Sequence, residues 1–389
     1  MALFNYFAKD SKGTDYKGEI ESTDLHGAVV VLRRRGLIVI SVKPKAGPHL
    51  QFLDKVFSRI QFSDIVTFTR QLATMVGAGL VLSEAVDILA EQQSNKRFKD
   101  ALEDVSANLK GGLSLSGALA RHSEVFPTLY INLVKSGETS GKLDTVLLKM
   151  ADTLEKEREF RSRIKGALIY PVVVIVMMVL VIVVMMIFVV PKLVSFYQES
   201  SLELPLSTKI LIGVSSFMIN FWWLLLAMLV ALAIAINRFA KSPTGRFAID
   251  RIILRLPIIG KLTNFVILTN FNRTFALLTS AGVPILESID IVEDITDNSV
   301  YKEGLKSSYK GVESGLTFSQ QISSLNYFPR LVGQMIRVGE ETGKMDEVFN
   351  RLADYFETES DQMVKNLTVA IEPIILVVLA LGVAFLAIS

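Results

Sequence analysis

The stretch Gly137-Glu-Thr-Ser-Gly-Lys142 has the residue types of a phosphate cradle: glycines that let backbone N–H groups approach an anion, and a lysine to pair with it. A phosphate loop, however, needs four residues between its glycines and a Ser or Thr after the lysine, on a strand-to-helix turn. Here three residues separate the glycines, Leu143 follows the lysine, and the preceding pattern is helical. The motif returns as Gly339-Glu-Glu-Thr-Gly-Lys344, followed by Met345. The residues predict a helix–turn–helix corner, with Gly137 and Gly141, and again Gly339 and Gly343, ending one helix so that the next can begin.

Other chemistry is sparse. His26, His49 and His122 lie in different segments without ligand spacing, and no HExxH, GxSxG or carboxylate-rich calcium loop occurs. No metal, nucleotide or other cofactor and no enzymatic activity is expected. The chain has no cysteine, which removes disulfides, thiol catalysis and thiolate metal sites and fits folding in a reducing compartment. Lys plus Arg (41) nearly balance Asp plus Glu (39), which argues against nucleic acid held through phosphate contacts. Two ion pairs are expected at equivalent places, Arg70 with Glu84 and Arg273 with Glu287, each across a helical hairpin. Glu372, just before Pro373, reads as an interfacial carboxylate rather than a proton relay.

The elements that position these residues centre on residues 168–190, an uncharged run bounded by Lys165 and Pro191-Lys192. At about 1.5 Å per residue such a run crosses a hydrocarbon layer of about 30 Å. Ile210 to Ile236 is a second uncharged run, with Trp222 and Trp223 suited to an interface. Residues 367–389 form a third, opened by Pro373 as Pro171 opens the first.

The N-terminal residues 1–43 predict a small α+β module. Apolar and polar residues alternate around Phe4, Tyr6 and Ala8, a turn follows at Asp10–Gly13, and Lys17–Ser22 resumes the pattern. Asp24 would cap a helix ending at Gly36, before a strand at Leu37–Val42, and Arg33-Arg34-Arg35 suit the negative end of that helix. No apolar leader is visible in Met1–Asp10, and residues 44–61 read as a linker.

Residues 62–166 then form a helical bundle, 168–190 a first span, 191–209 a short polar loop, 210–236 a returning span, and 237–262 a basic connector. Residues 263–366 form a second bundle and 367–389 a third span. The second bundle repeats the first: Phe68, Arg70, Ala78, Gly79 and Glu84 recur in order as Phe271, Arg273, Ala281, Gly282 and Glu287. Further on, Phe126-Pro127 recurs as Phe328-Pro329 and Ile169-Tyr170-Pro171 as Ile371-Glu372-Pro373. Arg158, Arg161, Arg163 and Lys165 precede the first span and six basic residues follow the second, while the loop between has Lys192 and Lys209. Both bundles are therefore expected in the cytoplasm and the C-terminus outside. The fold class expected is a mainly α membrane protein with two homologous cytoplasmic bundles and three transmembrane helices.

Phe-Thr-Arg-Gln-Leu-Ala-Thr from Phe68, Gly137 to Asp144, and Lys165 through Tyr170-Pro171 to Val190-Pro191 together resemble the type II secretion system F family, over nearly the whole chain. The resemblance implies a non-enzymatic platform in the bacterial inner membrane, serving type IV pilus or type II secretion assembly. It implies a likewise inherited set of partners: a hexameric cytoplasmic ATPase, pilin or pseudopilin subunits, other inner-membrane components, membrane lipid and further copies of the chain. A small-solute transporter and a membrane-tethered signalling scaffold are the other classes this pattern allows. The membrane runs offer a transporter little, since the first two contain only Ser215, Ser216 and Asn220 as polar groups.

Overall fold

The computed structural model describes residues 2–9, 15–22, 25–34, 36–44, 59–189, 191 and 206–388. Outside them lie the expected turn at 10–13, the Asp24 cap, Arg35, His49, most of the linker and the loop residues 192–205. The side chains of His26, Lys209, Trp222 and Glu372 also lie outside what is described. The chain forms two compact units, Met1–Gln61 with Ala90–Leu102, and Phe62–Leu89 with Glu103–Ser389.

In the first unit, strands β1 (Ala2–Lys9), β2 (Asp15–Ser22) and β3 (Ile38–Pro44) form an antiparallel sheet of order β2-β1-β3. The alternation around Phe4 and Lys17 becomes the β1–β2 pairing, with Phe4 opposite Ile20 and Ala8 opposite Tyr16. Helix α1 (Leu25–Arg34) puts Leu32 against Ile20, with Tyr6, Leu37 and Val39 around them, so the helix stripe and one sheet face share a small core.

The second unit holds the helical repeat, apart from residues 90–102. Six helices, α2 (Phe62–Gly77), α3 (Leu82–Glu91), α4 (Lys96–Lys110), α5 (Leu115–Ala120), α6 (Thr128–Ser140) and α7 (Leu143–Val184), follow one another. Helices α8 (Leu206–Lys241) and α9 (Pro243–Arg255) come next. The first series then recurs in the same order as α10 (Ile259–Ser280), α11 (Ile285–Ile295), α12 (Ser299–Glu313), α13 (Phe318–Ser324), α14 (Arg330–Thr342) and α15 (Met345–Ile388). Backbone conformation recurs with it: Gly79, Gly112 and Gly141 have φ of 87°, 89° and 67°, and their counterparts Gly282, Gly315 and Gly343 have 79°, 91° and 70°. These are left-handed stops that ordinary residues adopt only at a cost, so the same hinges reappear wherever the same helices must end.

The cores repeat as well. Phe68 lies 5.8 Å from Phe126, and their counterparts Phe271 and Phe328 lie 5.2 Å apart. All four are buried. In the first bundle Tyr130 is buried too, and its hydroxyl is hydrogen-bonded to Thr69 Oγ1 at 3.1 Å, so burying it leaves no orphaned polar atom. Removal from water pushes the Tyr130 phenol well above its usual pKa.

The boundary expected at 166–168 falls inside one helix. Charged residues stop at Lys165, but backbone hydrogen bonding carries α7 through to Val184 and on into a π-helical turn, Met185–Val189. Pro171 lies inside it, buried, and Pro373 lies at the matching place inside α15, exposed. Among the described residues, one helix is long and apolar enough to cross a membrane: Leu143–Val189, whose most apolar stretch has a mean hydropathy of 3.6 and none of it buried. Leu226, Met228, Leu229 and Leu232 on α8, and Val369, Leu376 and Val377 on α15, are likewise exposed. Helix α8 bends at Phe221, beside the tryptophans expected to mark its interface, and Ser242 then caps α9 after a break of 105°.

Gly141→Ala should destabilise the detergent-purified protein by about 1 kcal/mol, because a Cβ is strained at positive φ. Gly166→Ala, in the middle of α7 with nothing within 4 Å of the new atom, should stabilise it by up to about 1 kcal/mol. Denaturant unfolding of the two variants, shifting in opposite directions, checks the assignment.

Candidate functional site

At the first glycine–lysine corner, α6 ends on Gly141, whose N–H bonds Glu138 O at 3.2 Å, while Lys142 N–H bonds Gly137 O at 2.9 Å. Helix α7 begins at once with Leu143. A Cβ on Gly137 would lie 3.1 Å from both Leu143 Cα and Val146 Cβ, so glycine is what lets α6 and α7 approach. At Gly339 the equivalent atom would lie 2.8 Å from Met345 Sδ.

The carboxylate inside the motif faces away from the lysine, onto the start of α5. Glu138 accepts from Leu115 N–H at 2.5 Å, Ser116 N–H at 3.2 Å and the Ser116 hydroxyl at 2.5 Å. Glu340 does the same for α13, accepting from Phe318 N–H at 2.8 Å, Ser319 N–H at 3.4 Å and the Ser319 hydroxyl. Ser114 and Thr317 complete the two caps by accepting from Gly117 N–H and Gln320 N–H. A helix start offers unpaired N–H groups and a positive dipole end, which is what a phosphate would need. Here the chain's own glutamate occupies it. The arrangement fastens α6 to α5 and α14 to α13.

The ion pairs differ from the expected ones. Arg70 binds Glu155 Oε1 through Nε at 2.8 Å and Asp152 and Glu155 Oε2 through Nη2 at 2.5 Å, both acids on α7. Arg273 binds Glu357 of α15. The equivalence between halves holds, because Glu155 and Glu357 match, but the partner comes from the long helix rather than from Glu84 or Glu287. Those two are exposed in the first turns of α3 and α11, where the helix dipole favours an acid. The local hairpin brought the wrong candidate close in sequence, while α2 packs along α7 and α10 along α15. The Arg70 guanidinium, mainly through its hydrogen bond, holds Glu155 below the ordinary carboxylate value.

The contact between the bundles escaped the sequence reading. Arg163 on α7 reaches Glu357 and, at 2.7 Å, Asp361 on α15. Lys149 donates to Ser280 O at 3.1 Å and Ser136 to Ala281 O at 2.9 Å. Glu357 thus serves Arg273 of its own bundle and Arg163 of the other. A cavity of about 590 Å³ lies beside this contact, lined by Tyr130 and Met150 from one bundle and Phe271, Arg273 and Asn270 from the other. The excess of charged positions facing each other on α7 and α15 was the available signal. The half-buried His122 puts Nε2 2.8 Å from the exposed Asp104, and the imidazole keeps that carboxyl below its usual value. Among the described residues no three His, Asp or Glu side chains converge on a metal position. Pro191, after the π-turn, is half-buried.

The family described as "Type II secretion system (T2SS), protein F" matches residues 68–191 and again 271–389, and its N-terminal domain matches 1–43. The chain is 38% identical over 389 residues to the type IV pilus assembly protein PilC of Thermus thermophilus, covering 99% of this chain and 96% of that one. It is 32% identical over 378 residues to PilC of Myxococcus xanthus, covering 97% and 91%. Against the type II secretion system protein F of Xanthomonas campestris it is 31% identical over 382 residues, covering 96% and 93%.

Two substitutions test the corner and the clamp. Glu138→Ala should cost about 2 kcal/mol of stability, since it leaves the Leu115 and Ser116 backbone donors without their acceptor, whereas Lys142→Ala should cost little. A double-mutant cycle on Arg70 and Glu155 should give a coupling of about 1 kcal/mol at neutral pH. Because the folded pKa of Glu155 is depressed, that coupling is complete above the ordinary carboxylate range and fades as pH falls through the lowered value. Coupling that strengthens in acid would contradict the pairing.

Proposed function

Since the chain belongs to the type II secretion system F family, we propose that it is a non-enzymatic assembly platform in the bacterial inner membrane, serving a type IV pilus or a type II secretion pseudopilus. Three spans, α7 from about residue 168, α8 and the end of α15, anchor it. The basic clusters at 158–165 and 238–261 keep both bundles and the N-terminal module in the cytoplasm, with the C-terminus in the periplasm. There the bundles meet a hexameric ATPase, while the membrane part, self-associated, engages pilin or pseudopilin subunits and other components of the machine.

The observation that carries this reading is the continuity of α7. A load applied to the corner at Leu143, or to Arg70 clamped on Asp152 and Glu155, passes along one continuous helix into the apolar stretch, with one backbone hydrogen bond missing at Pro171. A continuous helix of this kind couples displacement of the bundle to the apolar stretch, as a force-bearing platform requires. The corners add support, because their glycine spacing fails that of a phosphate loop and their glutamates fasten neighbouring helices.

Purified protein should neither bind nor hydrolyse ATP, and Lys142→Ala should leave pilus or pseudopilus assembly intact. Removing the protein should stop that assembly. Reversing exposed charges on a bundle should block capture of the ATPase while the protein stays folded in the membrane. Solute flux in vesicles containing this protein alone, or ATP hydrolysis abolished by Lys142→Ala, would overturn the proposal in favour of a transporter or an enzyme.

A further inference from the structure

The contact between the two bundles joins unlike faces. The first bundle supplies cations and a hydroxyl, Arg163 and Lys149 on α7 and Ser136 on α6. The second supplies acceptors, Glu357 and Asp361 on α15 and the carbonyls of Ser280 and Ala281 at the end of α10. Since the bundles are copies, each also carries the other's half of this contact.

On the second bundle, Lys365 and Arg351 stand on α15 where Arg163 and Lys149 stand on α7. On the first, Glu155 and Glu159 stand where Glu357 and Asp361 stand, and Gly77-Ala78 ends α2 where Ser280-Ala281 ends α10. The sign of every charge is kept. Arg351 and Lys365 are exposed, as Lys149 and Arg163 are, and Glu159, Gly77 and Ala78 are exposed where Asp361, Ser280 and Ala281 are half-covered. Glu155 pairs with Arg70 as Glu357 pairs with Arg273, and apolar surface is exposed beside both sets. Val338, which replaces Ser136 on α14, is 48% exposed, and Val81, just past the Gly77-Ala78 turn, is 65% exposed.

We propose that these two faces bind each other between copies of the chain, the cationic α14–α15 face of one copy meeting the anionic face of the next copy's first bundle. The contact made once inside each chain is then repeated between chains. Charge complementarity and continuity with the internal contact select a second copy as the occupant. Joining unlike faces of identical chains is heterologous association, which closes into a ring or extends. With both bundles held at one membrane face, that growth stays in the membrane plane. The proposal rests on the reading of the chain as a self-associating platform, and its test separates the two.

The chain has no cysteine, so single ones can be placed in the full-length protein in its membrane. A copy carrying Lys365→Cys should cross-link through a short bis-maleimide to a differently tagged copy carrying Glu159→Cys. Neither variant should cross-link to itself. Lys365→Glu together with Arg351→Glu should weaken self-association of the detergent-purified protein about tenfold, since exposed pairs are each weak but reversed charges repel. Combining these in one copy with Glu155→Lys and Glu159→Lys in the other should restore the mixed pair, which a folding defect would not allow. Efficient linking of Lys365→Cys to itself, or self-association undiminished by the reversals, would overturn the interface while leaving the platform reading standing. Reversals that abolish binding to vesicles containing anionic lipid but spare self-association would assign the cationic face to lipid instead, and so also overturn it. Loss of pilus assembly on removal of the protein tests the platform role separately.

Discussion

The second unit depends on the continuity of two long helices, α7 and α15. A segment that leaves water for hydrocarbon has no solvent to take its N–H and C=O groups, so every one must be paired within the helix. That requirement holds residues 168–184 helical, and the buried Val146, Leu147, Met150, Ala151 and Phe160 hold the preceding part of α7 helical against its bundle. Pro171 and Pro373 each remove one backbone hydrogen bond, at matching places near the start of the apolar stretch, and the helix continues past both. Because bundle helix and apolar stretch of α7 are one helix, the corner that begins it and the arginine that grips it orient both parts.

The two grips show how a duplicated domain diverges. Arg70 and Glu155 are both partly open to solvent, at 29% and 31%, whereas Arg273 and Glu357 are at 7% and 15%. Breaking an exposed pair costs little, while leaving one member of a buried pair uncompensated costs several kcal/mol. The second pair is buried partly by the first half of the chain: the Arg273 guanidinium stands 5.6 Å from the Phe160 ring of α7, and Arg163 shares Glu357. The same residue types thus serve as a surface clamp in one copy and as the centre of the inter-bundle contact in the other.

The glycine–lysine corners show how residue composition can suggest chemistry that geometry removes. Glycine, a helix start and a lysine lie close together, as in a phosphate site. The glycine spacing is one residue short of a phosphate loop, and the carboxylate of Glu138 or Glu340 satisfies N–H groups of the neighbouring α5 or α13 from within the chain. A group that cements two helices is unavailable to a ligand, so the motif recurs because the corner recurs.

Composition and spacing alone established much of this protein. The uncharged run at 168–190, the order-preserving repeat from Phe68 and Phe271, the failure of the phosphate-loop spacing and the resemblance to the F family are properties of local sequence. Hydropathy, periodicity and turn chemistry act over a few residues and survive without coordinates. The alternation in residues 1–43 likewise carried the strand pairing. The partners of Arg70 and Arg273, the second role of Glu138, the continuity of α7 through residue 166 and the Arg163–Glu357–Arg273 bridge were decided by tertiary structure. Each joins positions far apart in the chain, and several acids of identical chemistry competed for each arginine. Which one is reached depends on the long helices packing along α2 and α10, and that packing is set by the whole apolar surface rather than by any local signal.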